Sequence, residues 1–401
     1  MLTHETEVLV AGLGPVGAVA TLALARRGIA VAAVEPLASG ASDLRASTFH
    51  CPTLEILNDL GAATTLFGQG LKAPVYQYRD RQSGEVFAFD LGEIADRTPF
   101  PYRIQCEQHR VTAEIIAQLQ GEPSAQLLRG QRLLFVEQDD DGVTGYVEGA
   151  HAVERWRARF LVAADGANSV VRKVLGLQFP GFTYDEKFLC LSTTHAIEDA
   201  FENLSLVNYI SDPDEWMVLL KVPGLWRILV PAAEHMADET LLSDAYKDEV
   251  FRRMLGGAMA VSTQHRTIYR VHQRVCERFV VGRVALVGDA VHLNSPMGGF
   301  GMNSGIHDAV NVADKLVSVL RGGADAAAQL ALYERQRLTV TRDFVQAQTI
   351  ENTRLMRDGW AGARAERRAA MARLSQDREA RRAYLLKQAM FTSLEQAAAI
   401  S

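Results

Sequence analysis

An α/β fold in two interleaved parts, a βαβ-built domain and a mixed or antiparallel-sheet domain with helices at its C-terminal end, is the fold class this sequence predicts. Three observations predict it. A glycine-rich turn stands between two short apolar runs within the first 35 residues. Segments of two-residue alternation follow in separate blocks, with a long helical pattern after them. Residues 351–401 are rich in Ala and Arg and read as helices packed on the outside.

The elements follow in order. Glu7 to Ala11 reads as a buried strand, Gly12 to Gly17 as a turn, Pro15 to Arg27 as a helix and Ile29 to Val34 as a second strand. From Ala73 to Pro101, Tyr76, Tyr78, Phe87 and Phe89 alternate with other residues around Ser83-Gly84, which predicts an antiparallel hairpin. Gln108 to Leu119 is helical. Leu133 to Val136 and Val143 to Val147 flank an Asp-Asp-Asp-Gly turn and predict another hairpin. Phe160 to Ala164 is a buried strand. Gly181 to His272 reads as antiparallel strands with one helix near Leu241 to Leu255. Arg283 to Val287 is a further buried strand, a long loop follows, and Ser304 to Leu320 is a helix. The predicted division is discontinuous. Residues 1–75, 102–180 and 273–350 form the βαβ domain, 76–101 and 181–272 the second sheet domain, and 351–401 a helical segment.

Composition narrows the function classes. A chain of 401 residues with 48% hydrophobic and 22% charged residues is an ordinary globular protein, long enough to bury a large core around a deep pocket. Its net charge of −6 gives no reason to expect nucleic acid or an anionic membrane as partner. Residues 351–401 hold ten basic and six acidic residues, but the signs are interspersed, as on a solvated helix face. Cys51, Cys106, Cys190 and Cys276 make no CxxC pair, so neither a zinc site nor a dithiol motif is expected. They read as buried reduced thiols. Val8 to Ala25 carries no charge and has the length of a membrane span, yet Gly12, Gly14, Pro15 and Gly17 break its first half. The acidic residues before it do not fit a signal peptide, so the cytoplasm is the expected location.

Three motifs carry chemistry. In Gly12-Leu13-Gly14-Pro15-Val16-Gly17, the first glycine permits the tight turn, the second lets a pyrophosphate approach the backbone, and the third lets helix and sheet pack closely. The helix N-terminus then offers free N–H groups to phosphate. Glu35, 23 residues after Gly12, ends the second strand where a ribose hydroxyl needs an acceptor. This is a Rossmann-like dinucleotide site, and it does not by itself choose between NAD and FAD. The second motif runs from Gly282 to His292 as a buried strand ending in Gly288-Asp289. A carboxylate at the end of a buried strand is a fixed acceptor for hydroxyl donors. Its loop continues through Pro296, Gly298, Gly299, Gly301, Met302 and Asn303, glycine-rich enough for backbone to lie against a flat ring. The helix start that follows can face a group that becomes negative on reduction. The third motif is Asp165-Gly166, directly after the strand Phe160 to Ala164.

Together, in this order, the motifs resemble those of the p-hydroxybenzoate hydroxylase family of single-component flavin monooxygenases, over most of the chain from Glu7 to about Arg342. The resemblance implies non-covalent FAD held by Gly12, Gly14, Pro15, Val16, Gly17, Glu35, Asp165 and Asp289, with Gly301, Met302 and Asn303 at the isoalloxazine. Arg45 matches an arginine that contacts FAD. Gln108 matches a glutamine at the ribityl or pyrophosphate region, with Gln105 as its competitor. Pro296, Gly298 and Gly299 match the loop at the flavin face, where Pro296 borders the oxygen-reactive side. The implied reaction is hydroxylation of a small phenol or aromatic acid with O2 and NADH or NADPH, through a flavin C4a-hydroperoxide. The reduced nicotinamide is a transient partner, for no second glycine-rich nucleotide site is present. No acid or base is assigned. His50, Tyr209, Trp216, Arg227 and His235 are the candidates for substrate contact, Arg227 for a carboxylate. A monomer or homodimer is expected. Two alternatives stand: a flavin-dependent halogenase, for Trp226 to Pro231 reads Trp-Arg-Ile-Leu-Val-Pro but lacks the second tryptophan of that signature, and a non-enzymatic flavin-binding redox protein.

Overall fold

The computed structural model describes residues 2–38, 46–149, 151–212, 215–257, 260–357 and 364–401. Its first sheet has a parallel core. Val284–Leu286, Val153–Ala163, Thr3–Ala11, Val31–Glu35 and Ala125–Arg129 lie side by side, all parallel. Strands buried on both faces need apolar residues at every position, and Val8 to Ala11 and Phe160 to Ala163 supply them. The hairpin of Arg132–Gln138 and Val143–Glu148 pairs antiparallel onto the upper part of this sheet. The helices Pro15–Ala25 and Gln108–Leu119 form as expected.

The second sheet is mixed. Its order is His292–Leu293, His265–Val275, Gly181–Thr193, Leu225–Ala233, Met217–Val222, Val207–Ser211, Val75–Asp80, Val86–Asp90. Every pairing is antiparallel except Val207–Ser211 with Val75–Asp80, where two distant chain segments meet. Tyr78, Tyr209, Val218, Leu229, Cys190 and Thr267 stand in register across six strands and therefore share a face. The opposite face, with Ile210, Leu219 and Trp226, packs on Val250 and Phe251 of the helix Asp244–Leu255. A small third sheet of Thr48–Phe49, Leu71–Ala73 and Arg103–Gln105 was not anticipated, because strands of two or three residues carry no readable period.

Two expectations are corrected. The C-terminal helices are not merely outside: Leu385 and Phe391 are buried in one cluster with Tyr76, Tyr209, Trp216 and Met297. Their apolar face closes the tyrosine-bearing side of the second sheet. The helix placed from Ser304 runs from Phe300 to Leu320. Gly298 and Gly299 both have positive φ, 97° and 74°, so the turn is complete by Gly299 and the helix starts at once. Met302 and Asn303 thus belong to its first turn. Among the described residues, no helix is long and apolar enough to cross a membrane.

A buried ionic centre joins that helix to the first sheet. Asp308 accepts Arg337 Nε at 2.6 Å, His292 Nε2 at 2.8 Å and the Gly288 N–H at 3.1 Å. Burial pushes the Asp308 carboxyl up, but Arg337 and His292 outweigh it and hold the group at about 2. A carboxyl held below its ordinary 3.8 stabilises the folded state above that value, and the contribution disappears as pH falls from there toward about 2. Arg337→Met leaves that carboxylate buried without its cation and should cost about 3–5 kcal/mol. Urea unfolding at neutral pH reads this, and a loss under ~1 kcal/mol, the range of an exposed pair, would deny the centre its structural weight.

Candidate active site

The three motifs converge at the C-terminal edge of the first sheet. Gly12 turns the chain with φ 95°, and a Cβ there would lie 2.4 Å from Ala164 O. A Cβ on Gly17 would lie 2.0 Å from Gly12 O, so only glycine lets this helix seat on the strand. Gly14 differs: a Cβ there meets no protein atom within 4 Å. Its glycine is therefore not demanded by the protein's own packing, and the open space in front of it is the cradle a pyrophosphate needs. Gly14 caps the helix without a side-chain bond, leaving the first-turn N–H groups to a ligand.

Glu35 ends its strand half-buried. Its Oε2 accepts the Leu13 N–H at 2.9 Å and its Oε1 the Leu37 N–H at 3.1 Å, which fixes the carboxylate beside the glycine turn. Pro15 opens the helix, and Val16 packs on Gly288 and Gly305. A Cβ on Gly305 would meet Val16 at 2.6 Å and the Gly288 Cα at 3.1 Å, so the first and second motifs interlock through missing side chains. Gly288 itself has φ 58°. Asp289 is exposed between buried Gly288 and Ala290, so its carboxylate is the part of this turn turned outward. Asp165 accepts the Val171 N–H at 3.1 Å through Oδ2, while its buried Oδ1 has no partner among the described residues. Arg172 donates to Ala290 O at 2.8 Å and to Ala167 O at 2.7 Å, tying the third motif to the second. The sequence reading missed that tie, because an arginine bonding two loop carbonyls leaves no spacing signature.

The glycine loop is clamped from behind. Ser295 N–H donates to Gln273 Oε1 at 3.0 Å, and Asn352 donates to Met297 O at 3.3 Å. Pro296 is exposed and Met297 buried. Asn303 donates to Thr48 O at 2.9 Å and Gly299 O at 2.6 Å, and accepts the His50 N–H at 3.0 Å. It acts as a strut for the loop. Gly301 is partly open at the helix start, with Met302 buried beside it.

His50 lies against this loop. Burial, then the charge of Arg103, holds its pKa well below the ordinary histidine range, so the ring is neutral. Its Nε2 faces Gly298 O at 2.8 Å. A carbonyl can only accept, so Nε2 carries the proton and Nδ1 is an acceptor. Buried Nδ1 has no partner among the described residues.

The remaining candidates divide. Tyr209, Trp216 and Arg227 are buried. Tyr209 stacks on Tyr78 with ring centres 5.0 Å apart, Trp216 meets Phe188 edge-on, and Arg227 donates to the Tyr269 hydroxyl at 3.3 Å. His235 is exposed on the turn after Leu225–Ala233, outside the buried cluster, and is withdrawn as a pocket residue. Gln108 is half-buried at its helix start, whereas Gln105 is wholly buried and accepts Thr48 Oγ1 at 3.0 Å. Gln108 is the more accessible of the two. Arg45 lies outside the described residues. Trp226 faces the far side of the sheet, its Nε1 bonded to Glu198, so the tryptophan of the halogenase-like stretch is turned away from the tyrosine-bearing face.

The chain matches the family described as FAD binding domain over residues 5–348. It is 31% identical to para-nitrophenol 4-monooxygenase of Pseudomonas sp. (strain WBC-3) over 388 residues, 94% of each chain. It is 26% identical to pentachlorophenol 4-monooxygenase of Sphingobium chlorophenolicum, covering 85% of this chain and 63% of that one. Its fold superposes on the crystal structure of p-nitrophenol 4-monooxygenase PnpA from Pseudomonas putida DLL-E4 with a TM-score of 0.90 and 29% identity, over 99% of both.

The glycines separate packing from binding. Gly14→Val should leave the apoprotein within about 0.5 kcal/mol of its original stability and abolish flavin retention, whereas Gly17→Val should prevent folding. Melting of apoprotein and flavin content after reconstitution decide it. A Gly14→Val protein that retains FAD normally would refute the cradle. Asp289→Ala should weaken FAD roughly tenfold or more through a lost charged acceptor, in a titration of apoprotein, while lowering the apoprotein melting temperature less than Asp308→Ala does. Asp308→Ala should lower that temperature.

Proposed function

The chain belongs to the family of single-component, FAD-dependent aromatic monooxygenases, and from that membership we propose that its substrate is a small phenol, bound between the Ser295–Gly299 loop and the tyrosine-bearing face of the second sheet. The protein binds FAD and is an aromatic monooxygenase with NADH or NADPH as reductant. The phenol reading is supported by the phenols for which the relatives are named, para-nitrophenol and pentachlorophenol. The observation that carries the location is Met297: this loop residue is buried in one cluster with Tyr209, Trp216 and Phe188.

Bound FAD supplies hydride acceptance from the nicotinamide and activation of O2. The residues of this chain do the rest. Gly14 and the N–H groups that follow it take the pyrophosphate, Glu35 a ribose hydroxyl, and Asp289 the ribityl chain, with Gln108 and Asp165 beside them. The start of the helix Phe300–Leu320 would present backbone N–H groups to the ring, with Gly298, Gly299 and Pro296 forming the loop beside it; the Gly299 N–H itself closes the turn onto Pro296 O at 2.9 Å. Tyr209 and Trp216 offer flat apolar surface to an aromatic ring, and His50 Nδ1 accepts a hydrogen bond. Met356 and Leu385 of the C-terminal helices exclude water from the same cluster. The two sheets support the division of the chain into a FAD domain of 1–75, 102–180 and 273–350 and a substrate domain of 76–101 and 181–272. The four cysteines are free and buried, which fits a reducing compartment such as the cytoplasm.

A substrate phenol such as 4-nitrophenol should accelerate anaerobic reduction of the flavin by NADH or NADPH in stopped flow. In air it should gain one oxygen atom, labelled from O2 and not from water. A phenol that speeds reduction yet yields only hydrogen peroxide is an effector. Failure of every phenol to accelerate reduction or to be oxygenated would overturn the substrate assignment and leave FAD binding intact.

A further inference from the structure

The buried cation Arg103 has no carboxylate counter-charge among the described residues. Arg103 is 1% exposed, and its Nε and Nη1 find no acceptor among the described residues. Buried Arg172 donates to two backbone carbonyls and buried Arg227 to the Tyr269 hydroxyl and Cys190 Sγ, while other buried cations meet carboxylates. Arg337 meets Asp308 at 2.6 Å, Lys187 meets Asp238 at 2.7 Å and Lys247 meets Asp248 at 2.7 Å. Arg103 instead lies over the Tyr76 ring, 4.2 Å from its centre, and is hydrogen-bonded to the Tyr209 side chain, with Tyr78 close by. Burial holds the hydroxyls of Tyr76 and Tyr78 well above the ordinary tyrosine range, so these two are neutral and offer no negative charge. A ring face recovers only part of what burying a guanidinium costs.

The position of this charge is informative. Arg103 begins the strand Arg103–Gln105, whose next residue, Ile104, pairs with Phe49, the neighbour of His50. Its field reaches both His50 and Cys51. His50 bonds the Gly298 carbonyl, and Tyr76 shares its cluster with Met297 and Tyr209. Arg103 therefore stands between the loop that faces the flavin and the aromatic face of the second sheet.

We propose that Arg103 is the anion receptor of the substrate pocket, binding an oxyanion carried by the aromatic ring, phenolate or carboxylate, and thereby setting which edge of the ring meets the flavin loop. The proposal rests on the aromatic-monooxygenase reading and adds the charge state of the ligand. The planar guanidinium lies over Tyr76, and its Nε–H and Nη1–H groups, which point to different sides, each lack an acceptor among the described residues, so either can donate a charge-assisted hydrogen bond to an oxyanion placed on its side. Arg227, the residue first expected for a carboxylate, donates through Nη2 to the Tyr269 hydroxyl at 3.3 Å and to Cys190 Sγ at 3.7 Å.

The test uses the FAD-loaded protein and four probes: 4-nitrophenol with its methyl ether 4-nitroanisole, and benzoate with benzamide. Dissociation constants come from perturbation of the flavin absorbance. At a pH where both acids are ionised, the wild type should favour at least one anion over its neutral partner by about tenfold or more. Its affinity for 4-nitrophenol should rise as the phenol ionises. The two pairs separate phenolate from carboxylate as the source of the oxyanion. Arg103→Gln should abolish the preference and flatten the pH dependence, and Arg103→Lys should keep the preference with weaker binding. Melting temperature and FAD content check folding, and if Arg103→Gln does not retain FAD, Arg103→Lys is compared with wild type alone. Equal binding of anion and neutral partner by the wild type, binding of neither anion, or retention of the full preference and affinity in Arg103→Gln or Arg103→Lys overturns the proposal. Oxygenation of a neutral phenol such as 4-methylphenol alongside equal binding would sink the anion receptor while sparing the monooxygenase reading.

Discussion

The close approach of backbone to backbone around Gly12, Gly17, Gly288 and Gly305 is the constraint on which the rest of the structure depends. A side chain at Gly12 would strike Ala164 O, one at Gly17 would strike Gly12 O, and one at Gly305 would strike Val16 and the Gly288 Cα. Strand, turn and two helices are thereby drawn into one contact. Rigid seating of these helices aims the N–H groups at Gly14 and holds the Gly288-Asp289 turn beside them. Gly14, which no packing requires, is the position left open for the ligand.

Asp308 complements that steric constraint with an electrostatic one. It takes the Gly288 N–H, His292 and Arg337 at once, so the second motif is fastened to two helices by a single carboxylate. The group is locked into its ionised form by Arg337 and His292, against the effect of burial. Asp289, its neighbour in space along the same turn, remains exposed. Two carboxylates thus differ by environment: the buried one fixes the turn, and the outward one is the group proposed for the ribityl chain.

The flavin half was legible in the sequence because its chemistry is carried by backbone. Glycine spacing, a strand-ending acid and a helix start are local features, and the helix Gln108–Leu119 and the hairpin around Ser83-Gly84 followed from period alone. What was missed is non-local. The start of the helix at Phe300 depends on two consecutive left-handed glycines that the sequence reading left in a loop. The short strand that carries Arg103 has no period to detect, and its pairing partner at Phe49 is more than fifty residues away. Arg172 and Arg337 carry no motif, because what makes each decisive is an acceptor elsewhere in the chain. His235 was proposed on residue type, and only the fold reveals its exposure.

The C-terminal helices show why the pocket resists reading from sequence. Their composition is that of a solvated surface, yet Leu385 and Phe391 are buried against Tyr76 and Tyr209. A helix needs only a narrow apolar stripe to close a cavity, and charged residues on the remaining faces mask it. The buried cluster at the proposed substrate site is therefore assembled from three sources: the loop at Met297, the face of the second sheet, and helices from the end of the chain. Side chains from these sources can change without disturbing the backbone that holds FAD, since none of them belongs to the Gly12, Gly17, Gly288 and Gly305 contact. The architecture thus separates a cofactor half, where almost every atom is prescribed, from a substrate half whose size and charge are free to vary.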